Sequence, residues 1–339
     1  MNIRNLLRKL GLAILLAVLV LNLASCKTQF TDDTRASENP FLESIGSNEE
    51  VMFAYGFGLD HPKFDETLVY NGEPLQIEYY IDNNGMAMSA GLLMFVNGIP
   101  QPYSVDGGNT TTYMYIQPVE ENERVSVQVA FVPVWGKADE TVSVRFLSIL
   151  NPQIRPDQLD YIFGHTNRMT TFHSRTITMK EDAPEQDIDL AQLEDQRDMT
   201  QEEIDQVIYI DRKGNSVNKM EWFHFVARNV QDASLPYLNV DNQHLMFTLQ
   251  GYGGPAAEYF VVPFINHIPV FSGGYPCIMT VESGTKLYSK TMTLDLSDID
   301  KEKYMIQGFN TFYILAIPLD CSKKLEPVIT SSLVFSGEY

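Results

Sequence analysis

The sequence predicts an all-β protein: two tandem antiparallel β-sandwiches joined by an acidic, partly helical linker. Three observations carry that expectation. From about residue 51 apolar residues recur at every second position. Asn-Gly and Gly-Gly pairs separate these runs. Two short stretches, FVNGIP at 95–100 and FINHIP at 264–269, nearly repeat one another.

The strands follow in order. Ile77, Tyr79 and Ile81 alternate with Gln76, Glu78 and Tyr80. Val125, Val127, Val129 and Phe131 alternate with Ser126, Gln128 and Ala130, and Val142, Val144 and Phe146 with Ser143 and Arg145. Period two in β-branched and aromatic residues is the mark of a strand with one buried face. Asn71-Gly72, Asn84-Gly85, Asn97-Gly98 and Asp106-Gly107-Gly108 supply the turns. The stretch 181–205 breaks the pattern, with eleven acidic residues against the single Arg197. Thr200 and Glu203 have capping-box spacing, so this stretch reads as a linker with one or two helical turns and a solvated charged face. Strand signals then return. Trp222, His224 and Val226 alternate with Glu221, Phe223 and Phe225; Leu245, Phe247 and Leu249 follow, then Tyr259 to Ile265, then Met292, Leu294 and Leu296. Phe312 to Ile317 is apolar on both faces, which suits a central strand.

The near-repeat extends beyond six residues. Asn97-Gly98 lies between apolar runs, where a type I′ hairpin turn needs two positive φ angles. Asn266-His267 holds the matching place, and Asn and His are the non-glycine residues that best tolerate that region. Both stretches are preceded by a Gly-rich turn, Asn83-Asn84-Gly85 and Gly251-Tyr252-Gly253-Gly254, and both are followed by a Gly-Gly turn. Both units then carry an apolar strand ending near Pro, RFLSILNP at 145–152 and FYILAIP at 312–318. Two copies of one unit are expected, a first β-sandwich over 45–180 and a second over 206–339, with the linker at 181–205. Glycine in place of His267 should then be neutral or stabilising. The pattern resembles the immunoglobulin-like class in architecture, without the Cys…Trp…Cys spacing of antibody domains.

The N-terminus gives an address. Residues 1–26 read MNIRNLLRKLGLAILLAVLVLNLASC, with Arg4, Arg8 and Lys9 before an apolar run from Leu10 to Leu23. The run is shorter than the ~20 residues of a membrane-spanning helix and fits a secretory signal. Its end, Leu23-Ala24-Ser25-Cys26, resembles the bacterial lipobox, in which small residues precede a cysteine. The resemblance implies a bacterial lipoprotein: a signal peptide over 1–25, cleavage before Cys26, and acylation of the Cys26 thiol, for example with palmitate. Residues 26–44 are polar and read as a lipidated flexible tether, so the folded part is expected outside the cytoplasm, at the cell surface. Two acyl chains suffice for stable anchoring where one is marginal.

Beyond the anchor the residues exclude more than they assign. A net charge of −20 with no basic cluster argues against nucleic acid. Cys277 and Cys321 could pair as a disulfide in an exported chain or remain two buried thiols. The sequence contains no G-x-S-x-G elbow, phosphate loop or H-E-x-x-H motif, so no catalytic residue, metal ligand or cofactor is assigned. The Gly251–Gly254 run reads as a turn. His61, His165, His173, His224, His244 and His267 read as structural histidines. Asp298, Asp300 and Glu302 alternate as calcium ligands do but lack the EF-hand glycine and twelfth-position glutamate, and read as a surface turn. The expected protein is a non-catalytic, membrane-anchored binding or display module of the bacterial envelope. Its partners are the membrane, through the lipid, and an envelope protein or glycan, with ligand-binding residues unassigned. The alternatives are an accessory subunit of an envelope complex such as a transporter, and a hydrolase without recognisable motif.

Overall fold

The computed structural model describes residues 54–61, 66–159, 169–184, 190–193, 196–211, 213–272, 275–319 and 325–337. The expected signal peptide, Cys26 and tether lie outside the described residues.

The first half builds strands β1 (Ala54–His61), β2 (Leu68–Tyr70), β3 (Leu75–Asn84), β4 (Met88–Val96), β5 (Ile99–Pro100), β6 (Ser104–Val105), β7 (Tyr115–Val119), β8 (Arg124–Phe131), β9 (Thr141–Leu150) and β10 (Met169–Met179). One sheet has the order β1-β3-β8-β6, the other β2-β10-β9-β4-β5 with β7 also on β4. The pairings are antiparallel except β2 on β10. Ile77, Tyr79 and Ile81 turn inward from β3, and the hydroxyl of Tyr79 bonds Ser148 of the facing sheet.

The second half contains β11 (Ala191–Leu193), β12 (Gln196–Asp198), helix α1 (Gln201–Val207), β13 (Ile208–Ile210), β14 (Ser216–Asn218), a 3-10 turn (Lys219–Glu221) and β15 (His224–Asn229). It continues with β16 (Val240–Asp241), β17 (His244–Tyr252), β18 (Ala257–Ile265), β19 (Ile268–Pro269), β20 (Cys277–Val281), β21 (Lys286–Asp295), helix α2 (Lys301–Tyr304), β22 (Gly308–Pro318), β23 (Val328–Ile329) and β24 (Leu333–Gly337). The two sheets run β11-β20-β18-β22-β23, with β19 and β24 attached, and β12-β21-β17-β15, with β16 attached. Phe223, Phe225, Leu245, Phe247 and Leu249 fill the space between them, and the rings of Phe247 and Phe312 lie 5.0 Å apart. Part of the acidic stretch is strand, because β11 and β12 extend the sheets of the second sandwich. Thr200 caps α1 as its spacing predicts: its hydroxyl accepts from the Glu203 amide at 3.3 Å, and the Glu203 carboxylate accepts from the Thr200 amide at 2.8 Å.

The chain therefore folds as two tandem antiparallel β-sandwiches of immunoglobulin-like topology, and their central strands match. In the first, β3 pairs β8 while β4 pairs β5, β7 and β9; in the second, β17 pairs β21 while β18 pairs β19, β20 and β22. The two repeated stretches close the same hairpin. Asn97 and Gly98 have φ of 49° and 86°, Asn266 and His267 of 48° and 69°, the paired positive angles of a type I′ turn. Each Asn amide donates to the same place on the neighbouring strand, Ser143 O at 2.8 Å and Thr311 O at 3.0 Å.

One expectation about a strand face is corrected. Ser143 and Arg145 alternate with Val142, Val144 and Phe146 as if facing water, yet they are 0% and 2% exposed. β4 is buried along its whole length, and β9, β18 and β22 nearly so. Each of these strands turns one face to its own core and the other to the opposite sandwich. Phe260, Val262, Phe264, Tyr313, Leu315 and Ile317 join the core of the first sandwich, while the intervening Val261, Phe312, Ile314 and Ala316 join that of the second.

Candidate functional site

A polar cluster lies in the seam between the sandwiches, built around the Asn266-His267 hairpin. Strand period two places Phe95 on the outer face of β4 and its counterpart Phe264 on the outer face of β18. The two rings meet edge to face with centroids 6.3 Å apart. Arg145 pairs across from Phe95 in its sheet, and Tyr313 holds the same place opposite Phe264. Arg145 reaches the other half, and Tyr313 joins the core of the first sandwich. The Arg145 guanidinium donates to the carbonyl of Pro318. Tyr313 stacks on Phe264 and bonds His267. His267 in turn donates from Nε2 to the carbonyl of Pro152 at 3.1 Å, since a carbonyl can only accept. Its Nδ1 is then the acceptor for the Tyr313 hydroxyl at 3.0 Å. Burial, with a smaller contribution from the Arg155 charge, pushes the His267 imidazole down to about 3, so the ring is neutral.

Asn266 completes the cluster. Its Oδ1 accepts from Arg155 Nη1 at 2.8 Å and from the Thr311 amide at 3.1 Å, and its Nδ2 donates to Asn310 Oδ1 at 2.7 Å and to Tyr304 O at 2.9 Å. Tyr113 and Phe271 add a further ring contact between the halves at 5.9 Å. The arrangement holds two bodies together: its polar atoms bond one another rather than converging on a free space. It also overturns the expectation for His267. Glycine there would keep the turn but remove both bonds to buried partners.

The remaining sequence candidates take up structural places. Cys277 is buried on β20, its thiol aimed at the Val261 carbonyl at 3.9 Å and pushed up to about 12 by burial. Cys321, Cys26 and His165 lie outside the described residues. His173 bonds the carbonyl of Phe57, His224 stacks on Tyr252 at 5.1 Å, and His244 pairs with Asp295 at 3.3 Å, while His61 is exposed. Asp300 caps α2 through the Lys303 amide, so one of the three alternating acids shapes a turn. Gly253 and Gly254 have φ of 76° and 75° and lie against the backbone of Met220 to Phe223, where a Cβ would collide. This is a packed turn. Among the described residues no group of three or more His, Cys, Asp or Glu side chains could hold a metal ion, and no helix is long and apolar enough to cross a membrane.

Two surface features are open. A shallow cleft of about 600 Å³ lies beside the start of β18 and the end of β20, with Glu258 and Glu282 on its wall. The β13–β14 ribbon carries Ile208, Tyr209 and Ile210 exposed, and Trp222 follows it at 67% exposure. Sequence reading missed both the ribbon and the seam. Ile208-Tyr209-Ile210 followed by Gly214-Asn215 and Ser216-Val217-Asn218 is a weak hairpin signal that could have marked the ribbon. Nothing local marks Arg145 or Arg155.

No protein-family profile matches the chain, and no curated protein matches it. Among solved structures it is similar to WR4, a Caenorhabditis elegans member of the MSP family, at 10% identity and a TM-score of 0.22, over 36% of this chain and 96% of that one. It is similar to a PapD-like domain of human CEP192 at 10% identity and a TM-score of 0.21, over 39% and 87% of the two chains. It is also similar to the CsuC–CsuE chaperone–tip adhesion subunit complex of Acinetobacter baumannii at 11% identity and a TM-score of 0.20, over 82% and 98%. Likeness at this level carries nothing about activity.

Proposed function

We propose that the protein is a lipid-anchored, extracytoplasmic module of a bacterial cell envelope that binds or displays an envelope protein or glycan and carries out no reaction of its own. The observation that carries this reading is the N-terminal sequence: a basic start, an apolar run too short to span, and Leu23-Ala24-Ser25-Cys26 in lipobox order. The body that the tether would hold supports it. Two sandwiches joined through a buried seam offer rigid sheets and many loops, the usual frame for recognition. The histidines at 173, 224, 244 and 267 are occupied by contacts within the fold.

Metabolic labelling with a fatty-acid analogue tests the anchor. Wild-type chain should take up label and Cys26→Ser should not, because no other thiol lies near the signal. Label retained on Cys26→Ser would overturn the lipoprotein reading.

A further inference from the structure

We propose that the Asn71-Gly72 turn is a modification site: Asn71 deamidates spontaneously through a cyclic imide and becomes aspartate or isoaspartate as the protein ages. The sequence holds three Asn-Gly pairs, Asn71-Gly72, Asn84-Gly85 and Asn97-Gly98. Asparagine is a chemically labile residue. A glycine after it offers an amide nitrogen with no Cβ beside it to hinder attack. The three pairs are alike in sequence and unlike in setting. Asn97 donates its amide to Ser143 O at 2.8 Å, and Gly98 is buried against Phe260. Asn84 is the last residue of β3 and pairs with Ala54. The Asn83 side chain holds that turn, donating to the carbonyls of Met86 at 2.8 Å and Glu120 at 2.9 Å, and the Gly85 carbonyl accepts from the Asn122 amide at 3.3 Å. Asn71 and Gly72 are both exposed, lie outside every strand and make no hydrogen bond among the described residues.

The reaction consumes nothing but water. The Gly72 nitrogen gives up its proton and attacks Asn71 Cγ. The new N–Cγ bond closes the imide ring, the Cγ–Nδ2 bond breaks, and the side-chain nitrogen leaves as ammonia, taking that proton. Water then opens the ring at one carbonyl or the other. One opening gives aspartate; the other leaves the main chain running through the side-chain carboxyl, as isoaspartate. Ring closure needs the Asn71-Gly72 peptide to swing, and an exposed turn without hydrogen bonds opens at least cost. The product lands in acidic company. The Glu181 carboxylate lies against Gly72, where a Cβ would fall 2.6 Å from its Oε2, and Glu73 follows directly in the chain. Deamidation adds a third carboxylate there, at the end of the edge strand β2, which pairs with β10 through three residues.

The full chain is incubated at mildly alkaline pH in water enriched in heavy oxygen, folded in one sample and in urea in another. Peptides prepared in ordinary water are then mapped by mass spectrometry, with fragmentation that tells isoaspartate from aspartate. Heavy oxygen enters only when the imide opens during the incubation, so conversion before or after it is not counted. The rate at each site in the folded chain is divided by its rate in urea. That ratio should be near one at Asn71, lower at Asn84, and lower by ~10-fold or more at Asn97, whose turn must first open. Asn71→Gln should remove the label from its peptide and leave the other two ratios as they were. An Asn71 that converts in urea and stays intact in the folded chain overturns the proposal. So does equal conversion of Asn71 and Asn97 in the folded chain, since the fold then selects nothing. Label carried by aspartate alone, with no isoaspartate, overturns the imide route.

Discussion

Gly98 answers to two separate constraints, and a pair of alanine substitutions separates them. Its φ of 86° is one that side chains rarely adopt, and a Cβ there would lie 2.8 Å from Phe260 Cβ and 3.1 Å from Leu319 Cδ2, both in the other sandwich. Gly107 has a comparable φ of 73° with nothing within 4 Å of its Cβ. Left-handed backbone costs an L-residue ~1–2 kcal/mol, offset by ~0.4–1 kcal/mol from the stiffer unfolded chain. Gly107→Ala should therefore cost between ~0 and ~1.6 kcal/mol. Gly98→Ala bears the same backbone cost plus overpacking against the seam, ~1–3 kcal/mol. Gly98→Val, with a branched Cβ, should exceed both. Urea unfolding at fixed temperature reads the difference as a shift in midpoint at unchanged slope. If Gly98→Ala and Gly107→Ala agree within ~0.5 kcal/mol, the scatter of ordinary surface changes, the hairpin does not press on the second sandwich and the seam geometry is wrong.

Two further outcomes follow from the seam. His267→Gly should destabilise by ~2–6 kcal/mol, as the Pro152 carbonyl and Tyr313 hydroxyl each lose a buried partner; an unchanged midpoint would count against these bonds. The imidazole titrates near 6.5 when free and near 3 in the fold, so the unfolded chain binds the proton first. Its contribution is intact above pH 6.5 and falls by ~1.4 kcal/mol per unit towards pH 3. His267→Gln should flatten the acid limb of stability against pH by up to one proton, and an identical limb would refute the neutral buried ring. Finally, cleavage within 185–189 should leave two pieces that co-elute under native conditions and part only in denaturant. Pieces that separate freely would mean that each half buries its core without the other.

Local signals were legible wherever the physics is local. The two hairpin turns could be read because positive φ restricts residue choice at two adjacent positions, and Asn97-Gly98 and Asn266-His267 meet that restriction. The capping box at Thr200 and Glu203 is a three-residue relation of the same kind. β22 could be read as central because both its faces are apolar. β9 could not, since Ser143 and Arg145 look like a solvent face and only a partner 173 residues along the chain, Pro318, buries Arg145. β11 and β12 are three-residue strands, too short for period two to register, and they sit among carboxylates that suggest water. The role of His267 was hidden for a related reason: its turn geometry is written beside it, its partners Pro152 and Tyr313 are not. Ile208-Tyr209-Ile210 shows no alternation, because neither face of the ribbon is buried.

The meeting of Phe95 with Phe264 has a consequence for how the molecule holds together. Residues at the same place in two copies of one unit touch each other, so the contact has the form of a quasi-dimer in which each copy presents the same patch. In a true dimer such a contact weakens on dilution. Here both copies share one chain, and a short connection of this kind supplies an effective concentration of order mM. The union is therefore unimolecular and indifferent to how scarce the protein is.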